Sequence, residues 1–253
     1  MLYYKFIKQN GKKMTIDDLK IKIFADGADL ASIDKLNSNK IISGFTTNPS
    51  LMKKAGVKDY KKFCQEVLKI TKNKPVSFEI FSDDLHEMYD QAREIASWGK
   101  SIYVKIPITN SKGEQTSGII KKLLENSIKC NVTAILTLKQ VEEIYKISNS
   151  DTNIIISIFA GRIADTGVDP IAMMTQAVNM CKDKKNIEIL WASTRELLNI
   201  FQANDINCQI ITVPHDILKK LSLIGKNLDE LSLETVQMFL EDATKAGFKI
   251  KID

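Results

Sequence analysis

VSFEIFSDDLHEMYDQAREIASWGKSIYVKI, residues 76–106, decides how this chain is read. Its two ends, VSFEI at 76–80 and IYVKI at 102–106, are short apolar runs rich in β-branched and aromatic residues. Runs of that length and composition are read as strands. Between them Leu85, Met88, Tyr89, Ala92, Ile95 and Ala96 recur at helical spacing, which gives one helix face to bury against a sheet. Strand, helix, strand in this order is a parallel pair with a right-handed crossover.

The same alternation extends in both directions. Further strands are expected near 21–26 (IKIFAD), 41–47 (IISGFTT), 131–136 (NVTAIL), 154–159 (IIISIF), 187–192 (IEILWA) and 208–213 (CQIITV). A second helical stripe, Ile171, Met174, Val178 and Cys181, follows Asp169-Pro170, a pair suited to the N-cap and first helical position. Eight strand–helix units close into a (β/α)8 TIM barrel, and 253 residues suit one such domain. The competing architecture, an open doubly wound sheet, usually carries a glycine-rich phosphate loop. Neither a GxGxxG nor a Walker A pattern occurs. Residues 1–20 are expected to be a short N-terminal extension. Residues 231–246 are expected to form an extra C-terminal helix, with Leu233, Val236, Leu240 and Ala243 on one side and Gly247 as its stop. No low-complexity tract or linker divides the sequence, so residues 1–253 are expected to form a single barrel domain.

Composition excludes several function classes. The net charge of +5 is mild and scattered, which does not indicate a nucleic-acid partner. No apolar run approaches the roughly 18 residues of a membrane span, and the lysine-bearing N-terminus lacks a signal-peptide core. A cytoplasmic location and no membrane partner are therefore expected. Cys64, Cys130, Cys181 and Cys208 form no paired motif and are read as reduced thiols. The two histidines are too far apart in sequence to suggest a metal site. His86 falls on a charged helix and is expected to be solvated. His215 follows Pro214 at a strand-to-helix turn and is expected to make a local hydrogen bond. Only Arg93, Arg162 and Arg195 of the 36 basic residues are arginine, and the last two follow strands. The planar guanidinium fork grips phosphate or carboxylate in a way that an ammonium does not.

In a barrel enzyme the chemistry lies at the C-terminal ends of the strands. Polar residues gather there: Asp26, Thr46-Thr47-Asn48, Glu79, Lys105, Thr133, Ser157 and Ser193, with Arg162 and Arg195 in the loops after strands six and seven. Lys105 lies among apolar neighbours in YVKIP. An amine with an ordinary pKa of about 10.4 becomes a nucleophile toward carbonyls when desolvation or a nearby cation favours its neutral form. Asp26 and Glu79 are the available proton carriers for carbinolamine formation, dehydration and carbon–carbon cleavage.

These residues, taken in order, resemble the transaldolases, a class I, Schiff-base-forming family related to the fructose-6-phosphate aldolases. GFTTNPSL (44–51) and YVKIPIT (103–109) are the most specific segments. FADGADL, SFEI, NVTAIL, SIFAGRI and WASTRE accompany them between about Ile23 and Gly247. The resemblance implies that Lys105 forms the Schiff base and Asp26 accepts the proton of the cleaved hydroxyl. It implies that Glu79 and Thr133 handle a water during Schiff-base formation and breakdown. Asn48, Thr47, Asn131 and Ser157 would then bind substrate hydroxyls, and Arg162, Ser193 and Arg195 its phosphate. No metal and no cofactor are implied. The partners implied are sugar-phosphate substrates and further copies of the same chain, as a homo-oligomer.

Three positions depart from the resembling pattern: Gly27 replaces a common Thr beside Asp26, Phe45 a Val, and Ile158 a Pro. The expected reaction is transfer of a dihydroxyacetone unit from sedoheptulose 7-phosphate or fructose 6-phosphate to an aldose phosphate. The alternative is an aldolase that releases free dihydroxyacetone. Members of that branch tend to carry Gln where Glu79 lies and Tyr where Phe159 lies. A non-catalytic sugar-phosphate-binding barrel is the remaining alternative, and it predicts losses among Lys105, Asp26 and Glu79.

Overall fold

The computed structural model describes residues 8–9, 12–13, 15–149 and 151–252. They separate into two compact units, one spanning 19–219 and the other formed by the chain ends, up to 18 and from 220.

The larger unit is a closed barrel of eight parallel strands. In chain order these are β1 (Lys22–Asp26), β2 (Ile42–Thr46), β3 (Val76–Glu79), β4 (Ile102–Pro107), β5 (Cys130–Ile135), β6 (Ile154–Ile158), β7 (Ile187–Trp191) and β8 (Ile210–Pro214). Each pairs with its sequence neighbours, and β8 returns to pair with β1, which rules out the open sheet. The eight expected strands are all present. The largest shift in a boundary is at β8, which starts two residues later than expected. Asn207 there adopts a left-handed φ of 58° and the Cys208 N–H donates to the Ala203 carbonyl at 3.0 Å, so these residues finish the preceding helix.

Both faces of a parallel sheet are covered, so the strands read as nearly continuous apolar runs. Alternate residues point to the barrel axis. Near the N-terminal mouth the inward set includes Phe24, Tyr103, Ile155, Leu190 and Ile210, which pack into one buried cluster. One step further along the strands the inward set turns polar: Asp26, Thr46, Glu79, Lys105 and Thr133 line the opposite mouth. The helices bury the outer faces. In Leu85–Ser97, Met88, Ala92 and Ile95 are buried as the stripe predicts, and Asp84 caps the first turn. Helix Ile171–Cys181 buries Met174, Val178 and Cys181. Its start corrects the expected cap: Pro170 occupies the N-cap position, and the Asp169 carboxylate accepts from the Ile171 N–H at 2.9 Å. The four thiols are free and buried.

In the smaller unit, Lys8–Gln9 and Lys12–Lys13 pair antiparallel. Its main helix, Leu228–Lys245, begins three residues before the expected start because Asn227 caps it, accepting from the Asp229 N–H at 2.7 Å. Gly247 ends it with φ +68°. Leu233, Val236 and Leu240 on its apolar side are exposed. Among the described residues no helix is long and apolar enough to cross a membrane.

Candidate active site

The polar mouth of the barrel holds a cleft of about 490 Å³. Register builds its centre. Glu79 on β3 lies beside Lys105 on β4, and Lys105 lies beside Asn131 on β5. The Lys105 Nζ is 3.0 Å from the Glu79 Oε2 and donates to the Thr47 carbonyl at 3.2 Å. Lys105 is 8% exposed. An ammonium so far from water is retained only when it is paired and hydrogen-bonded, and both conditions are met here.

Asp26 ends β1. The Thr46 hydroxyl donates to its Oδ1 at 2.7 Å, and the Thr46 and Thr212 hydroxyl oxygens are 2.5 Å apart. Burial pushes the Asp26 carboxyl above the usual carboxylate range, while the positive charge of Lys105 and the Thr46 hydrogen bond oppose that push. Burial favours the protonated form of such a carboxyl, and a nearby cation and a donated hydrogen bond favour its carboxylate.

Thr133 projects from β5 one step beyond Asn131, opposite Pro107 of β4. Its buried hydroxyl has no partner among the described residues. The next residue, Ala134, has φ +61°, and the β5–β6 register shifts between Val132 and Ile135. Left-handed backbone at a residue with a side chain stores strain, and a bulge re-aims the residues around it. Asn131 is fully buried. It donates to the Ser77 Oγ at 2.9 Å and accepts from the Ser157 Oγ at 2.6 Å, so these three side chains brace the floor.

Asn48 caps helix Pro49–Lys54, accepting from the Leu51 N–H at 2.9 Å, and lines the cleft. Thr47 stands differently from its neighbours. It is fully buried, its hydroxyl donates to the Ser77 carbonyl at 3.2 Å, and it supports Lys105 through its backbone without lining the cleft.

Arg162, Ser193 and Arg195 share one edge of the cleft. Arg162 lies with its guanidinium 5.6 Å from the Phe159 ring centroid. Arg195 is held by Asp165, which accepts from its Nε at 3.1 Å and also from its Nη2. Ser193 has φ +63°. Gly161 makes this edge possible, because a Cβ there would lie 1.6 Å from the Ser193 carbonyl oxygen. The obstacle is backbone, so a larger residue must move the Ser193–Arg195 loop. Gly161→Ala is expected to cost about 1–3 kcal/mol of stability and lower Tm by several degrees. Thermal unfolding checks this, and a variant with wild-type Tm would remove Gly161 from this role.

The structure therefore brings Lys105, Asp26, Glu79, Thr133, Asn48, Asn131, Ser157, Arg162, Ser193 and Arg195 to one cleft and sets Thr47 behind it. Three contributors were not foreseen in the sequence: Thr46 as the donor to Asp26, Thr212 beyond it, and Asp165 on Arg195. Thr212 was within reach of period-2 reading, since it is the inward residue two after Ile210. His86 is exposed, as expected, with its Nδ1 3.4 Å from the Asp90 Oδ2. The Nε2 of His215 is buried without a partner, so the hydrogen bond expected at that turn is not made through that atom.

The chain is similar to known proteins in sequence and in fold. The sequence profile described as transaldolase/fructose-6-phosphate aldolase matches residues 23–251. A "Probable transaldolase" of Thermoanaerobacter sp. (strain X514) is 33% identical over 231 residues, covering 91% of this chain and all of that protein. Another, from Streptococcus agalactiae serotype V, is 33% identical over 230 residues, covering 88% of this chain and 97% of its own. Among solved structures, a dihydrodipicolinate synthase from Rhodopseudomonas palustris superposes with a TM-score of 0.54 at 16% identity, covering 91% of this chain and 81% of that one. An orotidine 5'-monophosphate decarboxylase from Metallosphaera sedula gives 0.52 at 12% identity, covering 83% and 98%. At such identities these two speak for the fold alone.

Proposed function

The chain belongs to the transaldolase/fructose-6-phosphate aldolase family, and on that premise we propose that it transfers a dihydroxyacetone unit from a ketose phosphate to an aldose phosphate through a Schiff base on Lys105. The observation that carries this reading is the buried Lys105 amine, 3.0 Å from the Glu79 carboxylate, in the same cleft as Asp26.

Glu79 takes a proton from the Lys105 ammonium, and the freed amine adds to the ketose carbonyl. The carbinolamine hydroxyl is protonated from the Glu79 and Thr133 side and leaves as water, forming an iminium. Asp26 then removes the proton of the hydroxyl on the carbon beyond the bond that breaks. The electrons of that bond flow into the iminium, the aldose phosphate departs, and an enamine remains on Lys105. An acceptor aldehyde reverses these steps, taking its proton back from Asp26, and hydrolysis frees the lysine. The iminium is the electron sink in this scheme. Arg162, Ser193 and Arg195 hold the phosphate, and binding energy at that remote group orients the reacting carbon. Glu79 and Phe159, in place of the Gln and Tyr of the resembling aldolases, favour transfer over release.

The test is to incubate the protein with fructose 6-phosphate, reduce it with borohydride and map the added mass. A three-carbon or whole-sugar adduct on Lys105 is expected. Donor consumption is expected to accelerate severalfold when an aldose phosphate acceptor is added, with little free dihydroxyacetone formed. Folded, sugar-binding protein with no adduct would sink the Schiff-base reading. Equal consumption with and without acceptor would replace transfer by aldol release.

A further inference from the structure

The register that pairs Ala25 with Val213 and Asp26 with Pro214 sets the next residues, Gly27 and His215, side by side. The imidazole lies over the Gly27 backbone: a Cβ on Gly27 would be 2.5 Å from both Cε1 and Nε2 of His215, and 3.2 Å from its Nδ1. Any other residue at 27 would therefore evict the ring. The Nε2 is buried and meets no partner among the described residues, although the ring as a whole is only half-buried. The cleft lining includes Pro214 and not His215, so the ring lies outside the substrate's path while packing on the residue next to Asp26. A nitrogen enclosed without a partner costs stability, and its retention against the residue that follows the proposed base calls for a reason.

We propose that His215 is a positioning residue for Asp26, seated in the space that Gly27 leaves open and sharing a proton equilibrium with the Asp26 carboxyl. The inference rests on the proposed role of Asp26 as the proton acceptor in cleavage.

The surroundings of the two groups give the sign of the effect. Burial pushes His215 down, Lys219 pushes it the same way, and the charges of Asp26, Asp29 and Asp216 push it up. Burial pushes Asp26 up, as Glu79 does, while Lys105, Thr46 and a charged His215 push it down. Burial thus drives the two groups toward each other, and each resists the shift in the other. Such a pair takes up protons in steps that belong to both members. As pH falls, a proton taken by His215 places a cation beside Asp26 and keeps that carboxylate ionised to lower pH. Loss of the imidazole removes this support. The cleavage reaction needs the carboxylate form, so its acid limb then moves to higher pH.

Two measurements test this. The chain holds only two histidines, His86 and His215, so the ring resonances of isotope-labelled protein are assigned by His215→Gln alone. In Asp26→Asn, the titration midpoint of His215 is expected to fall by about half a pH unit or more, with His86 unmoved as the internal control. In the kinetic arm, His215→Gln is expected to shift the acid limb of donor cleavage upward by a similar amount, about threefold in rate on that limb, with a much smaller change on the plateau. Gly27→Ala displaces the ring without removing it and is expected to reproduce that shift. An unmoved His215 midpoint in Asp26→Asn, or a rate loss in His215→Gln that is uniform across pH, would overturn the proposal. The NMR arm needs no turnover. A wild-type protein that forms no borohydride adduct would therefore count against the Schiff-base reading and leave the His215–Asp26 coupling to be decided by the titration.

Discussion

Lys105→Ala is expected to abolish adduct formation with fructose 6-phosphate and to lower kcat/KM at least about 10⁴-fold, the equivalent of about 5 kcal/mol of transition-state stabilisation. The reason is that no other described lysine lines the cleft. Removal of the amine removes the covalent step, and Glu79 is left without the cation 3.0 Å from it. Circular dichroism and thermal unfolding establish that the variant is folded. Borohydride trapping with peptide mapping then reads the covalent step directly, and steady-state kinetics reads the whole reaction. Activity in Lys105→Ala within tenfold of wild type would show that the covalent route is not the one used.

Asp26→Asn separates two stages that Lys105→Ala removes together. The Schiff base is expected to form still, because Lys105, Glu79 and Thr133 remain in place. Cleavage is expected to slow by about 10²–10⁴, the usual range for loss of a general base, because the amide cannot take the hydroxyl proton. The borohydride adduct should therefore change in kind: wild type yields a mixture containing the three-carbon unit, and the variant accumulates the whole sugar. The amide still accepts from Thr46, so the hydroxyl chain from Thr212 through Thr46 is preserved. A three-carbon adduct formed by Asp26→Asn at the wild-type rate would move the base role to another group.

The fold was legible because its signals are local. Each strand announced itself as a short β-branched run, and helix stripes such as Met88, Ala92 and Ile95 stood at fixed spacing. The centre of the cleft was legible for a related reason. In a barrel, the inward residue nearest the C-terminal end of each strand faces the same mouth, so Asp26, Glu79, Lys105 and Thr133 could be gathered by counting along strands. What escaped is what depends on closure. Thr46 and Thr212 touch across 166 residues, and nothing in either segment names the other. The pairing of Arg195 with Asp165 requires the helix Ala160–Asp165 and the Ser193–Arg195 loop to approach to the limit that Gly161 sets. His215 falls against Gly27 only once the last strand has returned to the first. The Asp169-Pro170 start was misplaced by one residue because a cap is defined by backbone angles, and the two residues can divide that task in either order.

Asp165 gives the edge formed by Arg162, Ser193 and Arg195 a property that a bare arginine pair would lack. The Arg195 guanidinium carries its counter-ion within the chain, half-exposed on both sides. Under the proposed assignment, an arriving anion binds there by exchange: it displaces a carboxylate that is already well placed. Chloride or a simple carboxylate gains little from that trade, since it offers no more than the group it replaces. A phosphate dianion presents several oxygens and can engage Arg162 and Ser193 in the same act, so it alone has a margin. Under that assignment the edge acts as a valency filter, responsive to an anion that can satisfy all three groups together.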